Sequence, residues 1–289
     1  MRREAPSDSA GRADWIIEVI AGFCSSAHNS LGMPQQEPAF AAPLVGFAAG
    51  DDPLFAELKR HVGPSHWTPG EAFALAFPER APNAGELAVI SWILPHTQQT
   101  KRDNRRQRSL PAERWVRAKF AGERFNVALR EHLVTVLTAA GVAAVAPTRL
   151  PQWSTEGVTS TWSERHIAYA AGLGTFGLCD GLITPLGKAM RCGSVVACLP
   201  LPATPRPYSD HHAYCDFFSR KHCAVCVERC PVGAISERGH DKARCHAYLE
   251  QVRHEFIEPR FGFSTDACGL CQTKVPCESH IPGHSRPRL

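Results

Sequence analysis

No apolar run in this 289-residue chain approaches a membrane span: the longest, such as Leu87 to Leu94, fall far short of about 18 residues. Charge of one sign is also lacking. The formal net charge is +4, so the balance by itself demands neither a nucleic-acid nor a membrane partner. No apolar signal core follows Met1-Arg2-Arg3-Glu4, and the expected address is cytoplasmic. The first half has no internal repeat and no low-complexity segment. Composition is that of a folded protein, 44% hydrophobic and 21% charged, and the length allows one large or two modest domains.

Cysteine, by contrast, is concentrated. Eight of the 12 cysteines fall within the 63 residues from Cys215 to Cys277. The densest part reads Cys223-Ala-Val-Cys226-Val-Glu-Arg-Cys230-Pro231, and Cys268-Gly-Leu-Cys271 and Cys277 follow about forty residues on. Two-cluster bacterial ferredoxins use the run C-x2-C-x2-C-x3-C-P, whose last cysteine crosses to the other iron-sulfur cluster. Here Arg220 stands at the first position and Cys215 is the nearest substitute. Ferredoxin logic therefore assigns Cys215, Cys223, Cys226 and Cys277 to one [4Fe-4S] cluster and Cys230, Cys245, Cys268 and Cys271 to the other. Were Cys215 not a ligand, the first cluster would have three irons or a non-cysteine ligand. Structural zinc is the rival reading, since two Cys-x-x-Cys pairs can build one four-cysteine site. A single zinc leaves four of these cysteines without a role. A disulfide framework suits neither a cytoplasmic address nor a chain this long.

Earlier in the chain, Trp15, Ile16, Val19, Ile20 and Phe23 form one helical stripe within Arg12 to Ser30, with Cys24 beside it as a buried small hydrophobe. Leu44 to Ala48 is a short apolar run, and Asp51 or Asp52 is placed to cap a helix through Arg60. Leu87 to Leu94 reads as a strand and Glu123 to Ala140 as a helix ended by Gly141, with a buried strand at Val142 to Ala146. This is a layered α/β pattern for which roughly two layers suffice. His96 lies just past the strand end, where such sheets often place site residues. Thr100 to Arg108 carries five basic residues in its last eight; it reads as a solvated loop or as an anion clamp of arginine forks.

Gly172-Leu173-Gly174-Thr-Phe-Gly177 fits G-x-G-x-x-G, but a dinucleotide loop must follow a strand and open a helix. Ser163 to Ala171 reads instead as a helix capped by Ser163 and stopped by Gly172. The glycines would let backbone pass close to a large flat ligand, or make a tight turn. Gly181 to Thr184 and Gly193 to Cys198 look like two strands joined through Pro185 and Gly187. Leu199 to Pro207, with four prolines in nine residues, is a connector.

Ser163-Glu-Arg165, Ala171-Gly-Leu-Gly174-x-x-Gly177, Leu182-Ile-Thr-Pro185 with Gly187, Leu199-Pro-Leu201, Cys230-Pro231, Arg244-Cys245-x-x-Tyr248-Leu249 and Cys268-x-x-Cys271 occur in this order. In these features the chain resembles epoxyqueuosine reductases, and reductive dehalogenases share the arrangement. The likeness is firm from about Thr161 to Cys277 and thin before residue 150. It implies a nitroreductase-like α/β domain (α+β in class) over 1–207, binding base-off cobalamin, followed by a ferredoxin-like bis-[4Fe-4S] domain over 208–289. Glu164, Arg165, Gly172, Leu173, Gly174 and Gly177 would lie at the cofactor. Electrons would come from an external ferredoxin or flavodoxin, and the reduced cobalamin would cleave an epoxide, halide or similar bond. An Asp-x-His-x-x-Gly signature is lacking, Cys215 standing where its glycine belongs, which agrees with the resembled family. The related domain also binds flavin in other folds, so flavin is the alternative second cofactor.

Three departures separate the chain from that family. Its acidic proton donor would fall on Val158, its Thr-Asp before Leu-Pro-Leu is Ala197-Cys198, and no helical-repeat extension follows Leu289. A small-molecule substrate is therefore expected, with tRNA bound through Lys101 to Arg108 as the alternative. A non-catalytic electron-transfer or cobalamin-handling protein is a further alternative. Glu156, the nearest acid, and His96 are the candidate catalytic residues, since a reduced product needs a proton donor within hydrogen-bond reach.

Overall fold

The computed structural model describes residues 6–80, 82–157 and 159–283, leaving Val158 outside the described residues. At its centre lie strands β1 (Leu44–Ala49), β2 (Ala88–Pro95), β3 (Ala144–Val145) and the late strand Met190–Ala197, all antiparallel, in the order β1, β2, Met190–Ala197, β3. Every residue of β2 is buried. The reason is that helices cover both faces of the sheet. Ile90, Trp92 and Leu94 meet α1 (Ser9–Cys24) on one side, while Val89 and Ile93 meet α2 (Leu54–His61) and α3 (Pro69–Ala76) on the other. The architecture thus has three layers where two were expected, because a strand apolar on both faces must be covered twice.

Local signals explain most boundaries. Asp8 accepts from the Gly11 N–H at the start of α1, and Thr68 and Glu71 close a capping box on α3, satisfying amides with no partner in the helix. Pro53, not Asp51 or Asp52, stands at the cap of α2 and makes no side-chain cap bond; Asp52 accepts from the Leu54 N–H from one position earlier. Cys24 is buried in the α1 core.

Three elements differ from expectation. The basic run is a helix, α4 (Gln98–Arg105), capped by Thr97. The following helix, α5 (Glu113–Ala139), begins ten residues before the apolar periodicity becomes visible. The buried positions of its first turns, Trp115, Val116, Ala118 and Gly122, include small residues that give little apolar signal. After the hairpin of β4 (Thr155–Glu156) and β5 (Thr159–Ser160) and helix α6 (Glu164–Ala170), β6 (Thr175–Phe176) pairs with β7 (Leu182–Ile183). The segment of β7 therefore does not form a hairpin with the next strand, β8 (Met190–Ala197). Pro185 and Gly187 make a turn closed by Thr184 Oγ1 donating to the Gly187 carbonyl at 2.8 Å, and β8 joins β2 and β3 in the main sheet.

The cysteine-rich segment is packed firmly against this layered body. Leu178, Cys179 and Ile183 share an apolar cluster with Cys215, Cys226, Ile235 and Cys277, and Trp115 and Val116 of α5 share another with Val252, Ile257 and Ala267. Helix α4 holds that packing in place. Asn104 donates to the Cys268 carbonyl and Thr273 Oγ1, Lys101 Nζ to Ser279 Oγ at 2.9 Å, and Arg105 forms a bidentate pair with the buried Glu278. From the other side Arg229 donates to four backbone carbonyls, at Asn104, Gln107, Leu270 and Thr273. Lys101 and Arg105 are therefore committed to tertiary structure, which revises both readings of the basic run.

Candidate active site

Two cavities lie where the cysteine segment meets the layered body. A small one, about 20 Å³, is lined by Cys215, Cys223, Cys226 and Cys277 together with Leu178, Ile183 and Lys188. The larger one, about 810 Å³, is lined by Cys230, Cys245, Cys268 and Cys271, and also by Cys179 and Cys192. These are the two groups that ferredoxin spacing pairs. All of these cysteines are free thiols. Among the described residues no three His, Cys, Asp or Glu side chains meet at a point able to hold a single metal ion.

Cys179 and Lys188 face both groups. The buried Cys179 thiol hydrogen-bonds with Cys226 of one group and Cys271 of the other; these bonds pull its pKa down against burial, and Lys188 Nζ at 3.2 Å adds to the effect. Burial alone would lower the Lys188 ammonium, yet the thiols of Cys179, Cys277, Cys271 and Cys226 together hold it well above its usual range. Burial pushes Cys268 and Cys277 up to about 11. Neither Cys179 nor Lys188 carried a sequence signal, because each becomes meaningful only beside cysteines some forty to ninety residues away.

The larger cavity is bounded by α5, the start of α6, the start of β8 and the cysteine segment. From α5 it receives Trp115, Lys119, Glu123, Val127 and Arg130, a stripe at near-helical spacing. That spacing was the available signal for these side chains. Glu164, at the start of α6, accepts from Arg130 Nη2 at 3.0 Å and from Ser194 Oγ at 2.6 Å. Its carboxyl is pushed up by burial, against the opposing pull of Arg130. Arg165 is not paired with Glu164; its Nη1 donates to the Asp180 carbonyl at 2.6 Å. Both residues line the cavity.

His96 also lines it, held between the tilted rings of Trp115 at 4.4 Å and Phe40 at 5.4 Å, with Nδ1 buried and unpartnered among the described residues. Burial, and then the charges of Arg191, Lys101 and Lys119, lower its pKa to about 3. The imidazole is neutral at ordinary pH, so it can offer a hydrogen bond but holds no spare proton. Glu156 sits exposed on the β4–β5 hairpin and does not line the cavity, although its neighbours Thr155 and Ser160 do. Gly172, Leu173, Gly174 and Gly177 do not line it either. A Cβ at Gly174 would stand 2.3 Å from the Ile183 carbonyl oxygen, and one at Gly172 2.9 Å from that of Pro205. Of the two readings of these glycines, the tight-turn one accounts for their contacts.

No protein-family profile matches the sequence, and no curated protein matches it. Solved structures do match. The fold is that of epoxyqueuosine reductases and reductive dehalogenases. A selenomethionine-labelled epoxyqueuosine reductase superposes with a TM-score of 0.52 at 16% identity, over 95% of this chain and 68% of that one. A reductive dehalogenase described with a mechanism for B12-dependent dehalogenation gives 0.53 at 15% identity, over 98% of this chain and 35% of that one. A catabolic reductive dehalogenase gives 0.56 at 14%, with the same coverage. At such identities the likeness is one of fold, and this chain spans about a third of either dehalogenase. Among the described residues no helix is long and apolar enough to cross a membrane.

Proposed function

We propose that this chain is an iron-sulfur oxidoreductase that passes electrons through two [4Fe-4S] clusters to a cobalamin in the larger cavity, for reductive cleavage of an epoxide, halide or similar bond in a small molecule. The observation that carries the reading is that Cys215, Cys223, Cys226 and Cys277 line one small cavity while Cys230, Cys245, Cys268 and Cys271 are among the thiols lining a large one. Thiols that ring a cavity rather than meet at a point suit a polynuclear cluster, in which each iron takes its own thiolate. Ala234 N–H donates to Cys230 Sγ at 3.2 Å, a kind of contact that tunes cluster potential. Cys215, Cys223, Cys226 and Cys277 would hold one cluster, and Cys230, Cys245, Cys268 and Cys271 the other. Residues 1–207 would form the cofactor-binding domain and 208–289 the cluster domain, with an external ferredoxin or flavodoxin as donor.

For the second cofactor the cavity is at the upper end of the range for small-molecule sites, and Glu164, Arg165, Met190, Arg191 and Cys192 form its wall. Bound there, cobalamin would supply a cobalt centre able to act as a strong reductant or nucleophile. The chain's own residues orient and exclude water. Trp115, Trp153 and Trp162 present apolar surface, while the orphaned His96 Nδ1 offers one polar contact to a bound molecule. A small substrate is favoured over tRNA because Lys101 and Arg105, on which a phosphate contact was expected, are engaged with Ser279 and Glu278.

The test is an absorption spectrum of anaerobically purified protein with iron, sulfide and cobalt counted, before and after hydroxocobalamin and dithionite. About eight irons per chain with retained corrin are expected. Zinc without sulfide, or clusters with no corrin uptake, would overturn the reading. Single-turnover reduction of an added epoxide or halide then separates an enzyme from an electron carrier.

A further inference from the structure

The charges lining the larger cavity do not balance. Lys119, Arg130, Arg149, Arg165, Lys188 and Arg191 face only three acids, Glu123, Glu164 and Asp266. Several of the cations are accounted for. Arg149 reaches Glu131 at 3.3 Å, Lys188 reaches Cys179, and Arg130 spans Glu164 at 3.0 Å and Glu123 at 3.5 Å. Arg191 must share Glu123 with Arg130. Asp266 is turned to Arg253, at 3.5 Å. Two cations remain. Lys119 makes no hydrogen bond or ion pair among the described residues, and Arg165 has one bond, to a backbone carbonyl.

These cations also repel one another. Lys119 is pulled down to about 8, first by Arg191, then by burial and by Arg165, against the opposite influence of Glu123 and Asp266. Lys119 is half-buried, and an ammonium held there without a counter-ion costs free energy that a bound anion recovers, while Arg165 adds positive charge from the exposed rim. The cavity supplies both the charge and the room.

We infer that Lys119, Arg165 and Arg191 form a binding site for an anionic group, a carboxylate or a phosphate, on the molecule that enters the larger cavity. The site is read from the charges alone. Its assignment to a substrate acid rather than to the phosphodiester of a corrinoid rests on the reductase reading.

Purified protein without added corrinoid is titrated at pH 7 with phenylacetate, phenylacetamide and inorganic phosphate, following the fluorescence of the tryptophans lining the cavity. The acid or phosphate should saturate and the amide should not. Lys119→Met should weaken the anion by about tenfold or more, the loss of one charge-assisted hydrogen bond, while Lys119→Arg keeps it within about threefold. A thermal melt of both variants checks folding. Equal binding of acid and amide, absence of anion binding, or an unchanged affinity in Lys119→Met would overturn the site. Repeating the titration after hydroxocobalamin assigns the source: retained anion affinity points to the substrate's acid, and competition points to the cofactor's phosphodiester. Failure of corrin uptake would sink the reductase reading and leave the anion result standing.

Discussion

Three histidines, His66 and His96 buried and His166 half-buried, respond to acid in the same direction. Burial lowers His96 to about 3, His66 to about 4 and His166 to about 3, helped by Arg191, Lys59 and Arg165 respectively. The unfolded chain binds those protons near pH 6.5, so between pH 6.5 and about 4 it holds more protons than the folded one. Stability is therefore complete above pH 6.5 and lost as pH falls, by up to about 1.4 kcal/mol per histidine per pH unit. Glu164, whose carboxyl is raised by burial, offsets part of this at the acid end. The expected outcome is a melting temperature clearly lower at pH 5 than at pH 7, with a smaller drop in His166→Gln. A flat profile would show that these side chains are not held neutral.

At the scale of elements, the joints between helices and their partners rest on few contacts. Asn126 of α5, itself fully buried, accepts from Trp92 Nε1 and donates to the half-buried Cys192 carbonyl, both at 2.9 Å. Asn126→Ala strands both groups, and a loss of about 2–4 kcal/mol in denaturant unfolding is expected. Gly269, between Cys268 and Cys271, has φ +66°, and a Cβ there would stand 2.0 Å from the Trp115 ring. Gly269→Ala combines backbone strain with overpacking, a cost of about 3 kcal/mol. The damage should be local, seen as lower iron retention together with altered tryptophan emission. Arg105→Ala leaves the Glu278 carboxylate, 5% exposed, without its cation. Discounting for the exposed arginine side, about 2 kcal/mol should be lost, readable as a lower denaturant midpoint.

For the whole molecule, the two rings of cysteines should fail independently. Cys223→Ser and Cys268→Ser lie on different cavities, so each variant should fall from about eight irons to about four. Loss of all iron from either variant, or of none, would contradict two separate clusters. The large cavity lies at the junction between the layered body and the cysteine segment, which α4 braces. Variants that loosen α4 should therefore lower cluster content without touching a thiol.

Much of this arrangement was legible because its signals are local. The β2 strand, the helix after Ser163 and the Cys-x-x-Cys pairs are set by residues a few positions apart, where strand, helix and ligand periods are short. The grouping of Cys215 and Cys277 with Cys223 and Cys226 could be anticipated only by analogy with ferredoxins. Other features depend on distant partners. Whether Lys101 and Arg105 bind an anion or staple the chain was decided by Ser279 and Glu278, more than 170 positions away. The role of the glycines after α6 was decided by the carbonyls of Ile183 and Pro205 pressing against them. Cys179 and Lys119 looked ordinary in sequence, since a buried thiol or a helix lysine is unremarkable until its neighbours are known. Sequence fixes residue type and spacing, hence the probable elements and ligand chemistry; only tertiary packing determines which charges are left unpaired, and in which cavity.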